Sequence, residues 1–84
     1  MAAQRTAKIK PGPGGVMTDD VGVVTGDLTV RTELDDAGGV VVRVQYQDAD
    51  EWYLVTGAKT TLADPKDLDA VHDVVVALLN RPEG

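Results

Sequence analysis

From Leu28 to Gly57, apolar and polar side chains alternate in one continuous register through two turns, and nothing else in the chain constrains its fold as tightly. If the first turn is centred on Ala37, within Asp35-Asp36-Ala37-Gly38-Gly39, the opposed pairs are Leu34 with Val40, Thr32 with Val42, Val30 with Val44 and Leu28 with Tyr46. If the second is centred on Ala49, Tyr46 opposes Trp52, Val44 opposes Leu54 and Val42 opposes Thr56. Both turns put the same residues on one face. Because a one-residue slip inverts every side chain, this agreement specifies a three-stranded antiparallel meander. Gly38 or Gly39 supplies the left-handed backbone that such a hairpin loop needs.

A helix follows, from Pro65 to Asn80. Asp64 suits the N-cap, Pro65 the first helical position, and Asp67 and Asp69 the first turns, where the helix dipole favours anions. Leu68, Val71, Val75, Leu78 and Leu79 make its main apolar stripe. Val74 and Val76 widen the stripe on both sides, beyond what one sheet face covers, and mark a helix flank for a second copy of the chain. The fold class expected is α+β: a three-stranded antiparallel meander with one C-terminal helix packed on one face. Val21 to Thr25 offers a fourth, N-terminal strand, ended or bulged at Gly26.

The residues before that strand look different. Residues 1–17 carry Arg5, Lys8 and Lys10 and no acid, whereas the remainder has five basic and fourteen acidic side chains, for a net charge of −6 overall. The run Pro11-Gly12-Pro13-Gly14-Gly15 sustains neither a helix nor a ladder. Residues 1–20 are therefore expected as a disordered, basic, Gly/Pro-rich tail, and residues 21–84 as a single β-β-β-α domain.

Several chemistries fall away on composition. The chain has no cysteine and one histidine, so disulfides and thiolate or Cys2His2 zinc sites are excluded. No serine is present either, and His72 has no hydroxyl or thiol nucleophile of those types to activate; it reads as a partly buried structural histidine. Gly57-Ala58-Lys59-Thr60 lacks the glycines of a phosphate-binding loop, and the clusters Asp35-Asp36 and Asp48-Ala49-Asp50-Glu51 lack the glycine and distal glutamate of an EF-hand. No cofactor or metal is expected. An acidic body disfavours nucleic acid, and no apolar run reaches membrane-spanning length or resembles a signal peptide, so the expected setting is the cytoplasm.

One constellation stands out. The same register sets Arg31 directly opposite Arg43 on the second sheet face, with Val41, Tyr53 and Val55 beside them. Opposed like charges are unfavourable, so either Glu33, Glu51 or a diagonal contact neutralises them, or the two guanidinium groups meet an anion. Arg31, Arg43, Tyr53, Val55 and Val41 are the candidate partner-binding residues. The function expected is a small, acidic, non-enzymatic protein–protein interaction module that forms a homodimer and takes a protein partner. The competing expectations are an acidic inhibitor or immunity-type protein that blocks a basic site, and a small-molecule-binding domain with a cleft between Trp52, Tyr46 and His72.

Overall fold

Six runs of this chain become strands. In the computed structural model, which describes residues 2–82, they are β1 (Ala3–Ile9), β2 (Val16–Thr18), β3 (Gly22–Val24), β4 (Leu28–Leu34), β5 (Gly39–Tyr46) and β6 (Tyr53–Thr61). A 3-10 turn, Pro65–Asp67, leads into helix α1 (Leu68–Leu79). All neighbouring strands run antiparallel, in the order β1-β4-β5-β6-β2-β3, and α1 packs on one face. The α+β class and the C-terminal helix hold; the sheet has six strands rather than three or four.

The first hairpin pairs as its alternation demands, with Leu34 opposite Val40, Thr32 opposite Val42, Val30 opposite Val44 and Leu28 opposite Tyr46. Its turn is closed by Asp35, whose Oδ1 accepts from the backbone N–H of Ala37 at 2.9 Å and of Gly39 at 2.8 Å. Gly38 takes the left-handed position at φ 89°.

The second hairpin slips by one residue. Val44 opposes Tyr53 and Arg43 opposes Leu54; beyond a bulge the pairs are Val41 with Lys59 and Val40 with Thr60. Residues 52–55 are apolar on both sides of the strand, so alternation alone does not choose which set faces inward. The set chosen is Tyr53 and Val55, which leaves Trp52 and Leu54 outside. Contacts from the β2–β3 hairpin hold this register: Leu54 N–H donates to Asp20 Oδ2 at 2.9 Å, and Thr56 Oγ1 donates to Asp19 Oδ1 at 2.7 Å. Gly57, at φ 75°, lies in the bulged stretch and returns the chain to the inward–outward order at Ala58 and Lys59.

The basic N-terminal segment is a strand, not a tail. All seven residues of β1 pair with β4, and Ile9 is 2 % exposed in the core. Its alternation is present but faint: Ala3, Ala7 and Ile9 share a face that Arg5 interrupts. Arg5 is accommodated because its Nε reaches Asp69 Oδ1 on α1 at 2.6 Å. The other end of the helix is tied to the same strand end, through Lys10 N–H to Asn80 Oδ1 at 2.9 Å and Arg81 N–H to the Lys10 carbonyl at 2.7 Å.

The connections also require the sheet to coil. Four residues from Val24 to Leu28 reach about 14 Å at most, whereas a flat sheet would put β3 roughly 19 Å from β4, four strand spacings away. The sheet must curl so that β3 approaches β4. In agreement, Val16 and Val24 share one buried cluster with Ile9, Leu28, Val30, Val42, Val44 and Val55. A second cluster of Leu34, Val40 and Leu68 anchors the start of α1.

Because β1 exists, α1 has a further strand to lean on. The ties at Asp69 and Asn80, together with His72 on Thr32, draw one flank of the helix down, so Val76 packs against the core. The opposite flank lifts, leaving Val74 58 % and Leu78 61 % exposed. The expected stripe is thus turned: Val76 enters it and Leu78 leaves it.

Candidate functional site

The two sheet faces have different chemistry. On the face turned to α1, the fully buried Thr32 and the half-buried His72 place Oγ1 and Nδ1 2.8 Å apart, one donating to the other. This bond ties α1 to β4 through His72. Tyr46 and Tyr53 meet edge to face, their ring centroids 6.4 Å apart. The Tyr53 hydroxyl donates to Glu51 Oε2 at 3.0 Å, and this bond, chiefly, raises its pKa above the ordinary tyrosine value. Trp52 lies on the other face of the sheet. The cleft expected between Trp52, Tyr46 and His72 consequently does not form.

The outer face is where the arginine row stands. Arg31 and Arg43 are directly opposed on β4 and β5, and a single carboxylate joins them: Glu33 Oε2 accepts from Arg31 Nε at 2.6 Å and Oε1 from Arg43 Nε at 3.3 Å. The Arg31 guanidinium also lies over the Trp52 ring, 4.0 Å from its centroid, a cation–π contact that fixes its plane. One glutamate neutralises only one of the two arginines, so the cluster keeps a net positive charge. Among the described residues, no protein acceptor takes the terminal nitrogens of either arginine.

Of the five candidate partner-binding residues, Arg31, Arg43 and Val41 share this outer face. Val55 does not: it is 7 % exposed within the core, and half-buried Tyr53 packs against that core from the helix side. The register slip in β6 moves both. Their places are taken by Leu54, opposite Arg43, and by Lys59, opposite Val41. Next to them lies a depression of about 150 Å³, lined by Val41, Leu54, Lys59 and Asp19 and opened by the bulge at Gly57. The continuous apolar run 52–55 was the only sequence signal that Leu54 had an outward alternative.

Glu33 is expected to matter to stability as well as to charge. Replacing it by glutamine should cost about 1–2 kcal/mol, since two half-buried guanidinium groups then face each other with no anion between them. Adding Arg43→Gln should recover part of that loss. Thermal unfolding of the two single variants and the double variant measures the coupling, and strictly additive effects would show that the bridge contributes nothing.

A second surface lies on the helix side. The lifted flank of α1 leaves a groove of about 200 Å³ against β6, floored by Val40 and Val42 and walled by Val71, Val75 and Ala58. Val74 and Leu78 project from the same flank. Among the described residues no group of three or more His, Cys, Asp or Glu side chains could hold a metal ion, and no helix is long and apolar enough to cross a membrane.

No protein-family model matches the chain, and neither a curated protein nor a solved structure does.

Proposed function

We propose that the protein is a small, non-enzymatic protein–protein interaction module that pairs with a second copy of itself through the lifted flank of α1. The observation that carries this reading is the pair Val74 and Leu78, more than half exposed and one helical turn apart, beside an open groove with a valine floor. A branched side chain projecting from a helix flank and a groove alongside it form a self-complementary surface. Two copies related by a twofold axis can each insert Val74 and Leu78 into the other's groove, the arrangement that closed homodimers require. Burying these apolar groups, at about 25 cal/mol per Å², supplies the driving force.

The proposed dimer surface is therefore Val74 with Leu78, in place of Val74 with Val76. Catalysis plays no part in this reading, because the single imidazole is committed to Thr32 and the chain has no thiol. Light scattering at micromolar concentration should return twice the 8.9 kDa of one chain. Val74→Glu combined with Leu78→Glu should weaken self-association at least tenfold while leaving the helical circular dichroism intact. A wild-type protein that stays at 8.9 kDa under those conditions removes the proposal.

A further inference from the structure

Charge is segregated between the ends and the outer face of this sheet. On β1, β4, β5 and β6 the outward charged side chains are Lys8, Arg31, Arg43, Lys59 and Glu33, four basic and one acidic, in a chain whose overall charge is −6. The register arranges them in rows: Thr6, Arg31, Arg43 and Leu54 in one, and Gln4, Glu33, Val41 and Lys59 in the next. Beyond the strand ends the turns are acidic, with Asp35 and Asp36 on one side and Asp48, Asp50 and Glu51 on the other; Asp19 and Asp20 of the β2–β3 turn flank the depression beside Leu54, with one oxygen of each taken by Thr56 Oγ1 and Leu54 N–H.

We infer that this outer face docks an extended acidic segment of a partner protein, with one carboxylate on Arg31 and Arg43 and an aliphatic side chain two residues further on in the depression beside Val41, Leu54 and Lys59. The inference rests on the interaction-module reading and adds a second surface and a partner chemistry to it. Geometry sets the spacing. Arg43 and Val41 are two residues apart on one strand, about 7 Å, which is also the separation of successive same-side residues in an extended peptide. Chemistry sets the ligand. The terminal nitrogens of an arginine form a planar fork matched to a carboxylate, and such charge-assisted bonds are about twice as strong as neutral ones. Stacking on Trp52 and the hold of Glu33 on both Nε atoms fix the forks before a ligand arrives, so little side-chain entropy is lost on binding.

Local charge favours a short anionic segment over a polyanion. A nucleic-acid strand running along β4 and β5 would pass from the arginines onto the aspartates of either turn, whereas a segment with one or two carboxylates stays on the basic rows. The single aromatic ring on this face is already covered on one side by Arg31, which leaves little platform for base stacking.

The test uses the full chain and a fluorescein-labelled peptide of alternating glutamate and threonine, with one leucine placed two positions after a glutamate. Fluorescence anisotropy and the emission of Trp52, the sole tryptophan, report binding. Saturable binding is expected, weakened at least tenfold when glutamine replaces the glutamates. Arg43→Gln should weaken it to a similar degree; this variant keeps the Arg31–Glu33 pair at 2.6 Å, so its fold is preserved. Leu54→Gln should also weaken it, because an uncharged polar side chain of similar size replaces the apolar wall of the depression. Failure of the peptide to bind at millimolar concentration, equal binding by Arg43→Gln, or an equal or tighter hold on single-stranded oligothymidylate would each overturn the inference. Light scattering on Arg43→Gln keeps the two readings apart. A dimer that no longer binds peptide supports both surfaces, a monomeric wild type that still binds peptide removes only the helix-side proposal, and a variant that turns monomeric assigns this face to self-association and overturns the docking site.

Discussion

A chain lacking residues 1–9 is expected to lose its fold. The segment looks dispensable, with two basic residues, two alanines at the inner positions and a Pro/Gly-rich run behind it. In the structure it supplies a seven-residue ladder to β4 and the buried Ile9. Burying a side chain the size of isoleucine contributes about 1.5–3 kcal/mol. The deletion also strips one flank from Leu28 and Val30, exposes the edge of β4 and removes the Arg5 anchor of the helix. A domain of this size is stable by only about 5–15 kcal/mol, and a short chain sits near the lower end, so the combined loss is enough to unfold it. Far-UV circular dichroism and amide proton dispersion of the truncated chain measure the outcome. A dispersed, native-like spectrum would mean that β1 is an ornament on a self-sufficient meander.

The contrast between β1 and β4–β5 shows where sequence pattern carries structural information. In Leu28–Tyr46 each inward position holds a leucine, valine, threonine or tyrosine and each outward one something more polar or, at Val41, tolerated; the pairing follows from that pattern. In β1 the inward positions are Ala3, Arg5, Ala7 and Ile9, too small or too polar to register as a buried face. What makes them strand is a partner, since β4 would otherwise present an open edge beneath the helix. In β6 the difficulty is the reverse. Trp52 to Val55 satisfies either register, and the choice falls to hydrogen bonds from Asp19 and Asp20, which sit on a hairpin distant in sequence. The candidate site inherits the same division. Arg31 opposite Arg43, and Glu33 as their neutraliser, follow from the legible hairpin. Trp52, Leu54 and Lys59 depend on the illegible strand, and Leu78 on a helix rotation set by β1.

Gly15→Ala should be the most damaging single-methyl change in the Pro/Gly-rich run. Gly15 closes the turn from β1 into β2, its N–H donating to the Gly12 carbonyl at 3.1 Å, and its φ is 67°. Left-handed backbone costs a non-glycine residue roughly 1–2 kcal/mol. Space adds to this, because a Cβ at Gly15 would stand 2.5 Å from the Val24 carbonyl oxygen and 2.6 Å from Val23 Cγ1. The carbonyl belongs to the paired strand β3 and has little room to retreat, since Val16 and Val24 are opposed and each no more than 3 % exposed. The total cost should reach about 3 kcal/mol, which for a domain of this size lowers the melting temperature by more than about 10 °C. Gly22 and Gly26 separate the two causes: their φ values are 76° and 85°, but nothing lies within 4 Å of a Cβ at either. Gly22→Ala and Gly26→Ala should therefore show the backbone cost alone, about 1–2 kcal/mol. If thermal unfolding finds the three alanine variants equally destabilised, the close approach of the turn to β3, and with it the tight coiling that brings β3 back towards β4, is absent in solution.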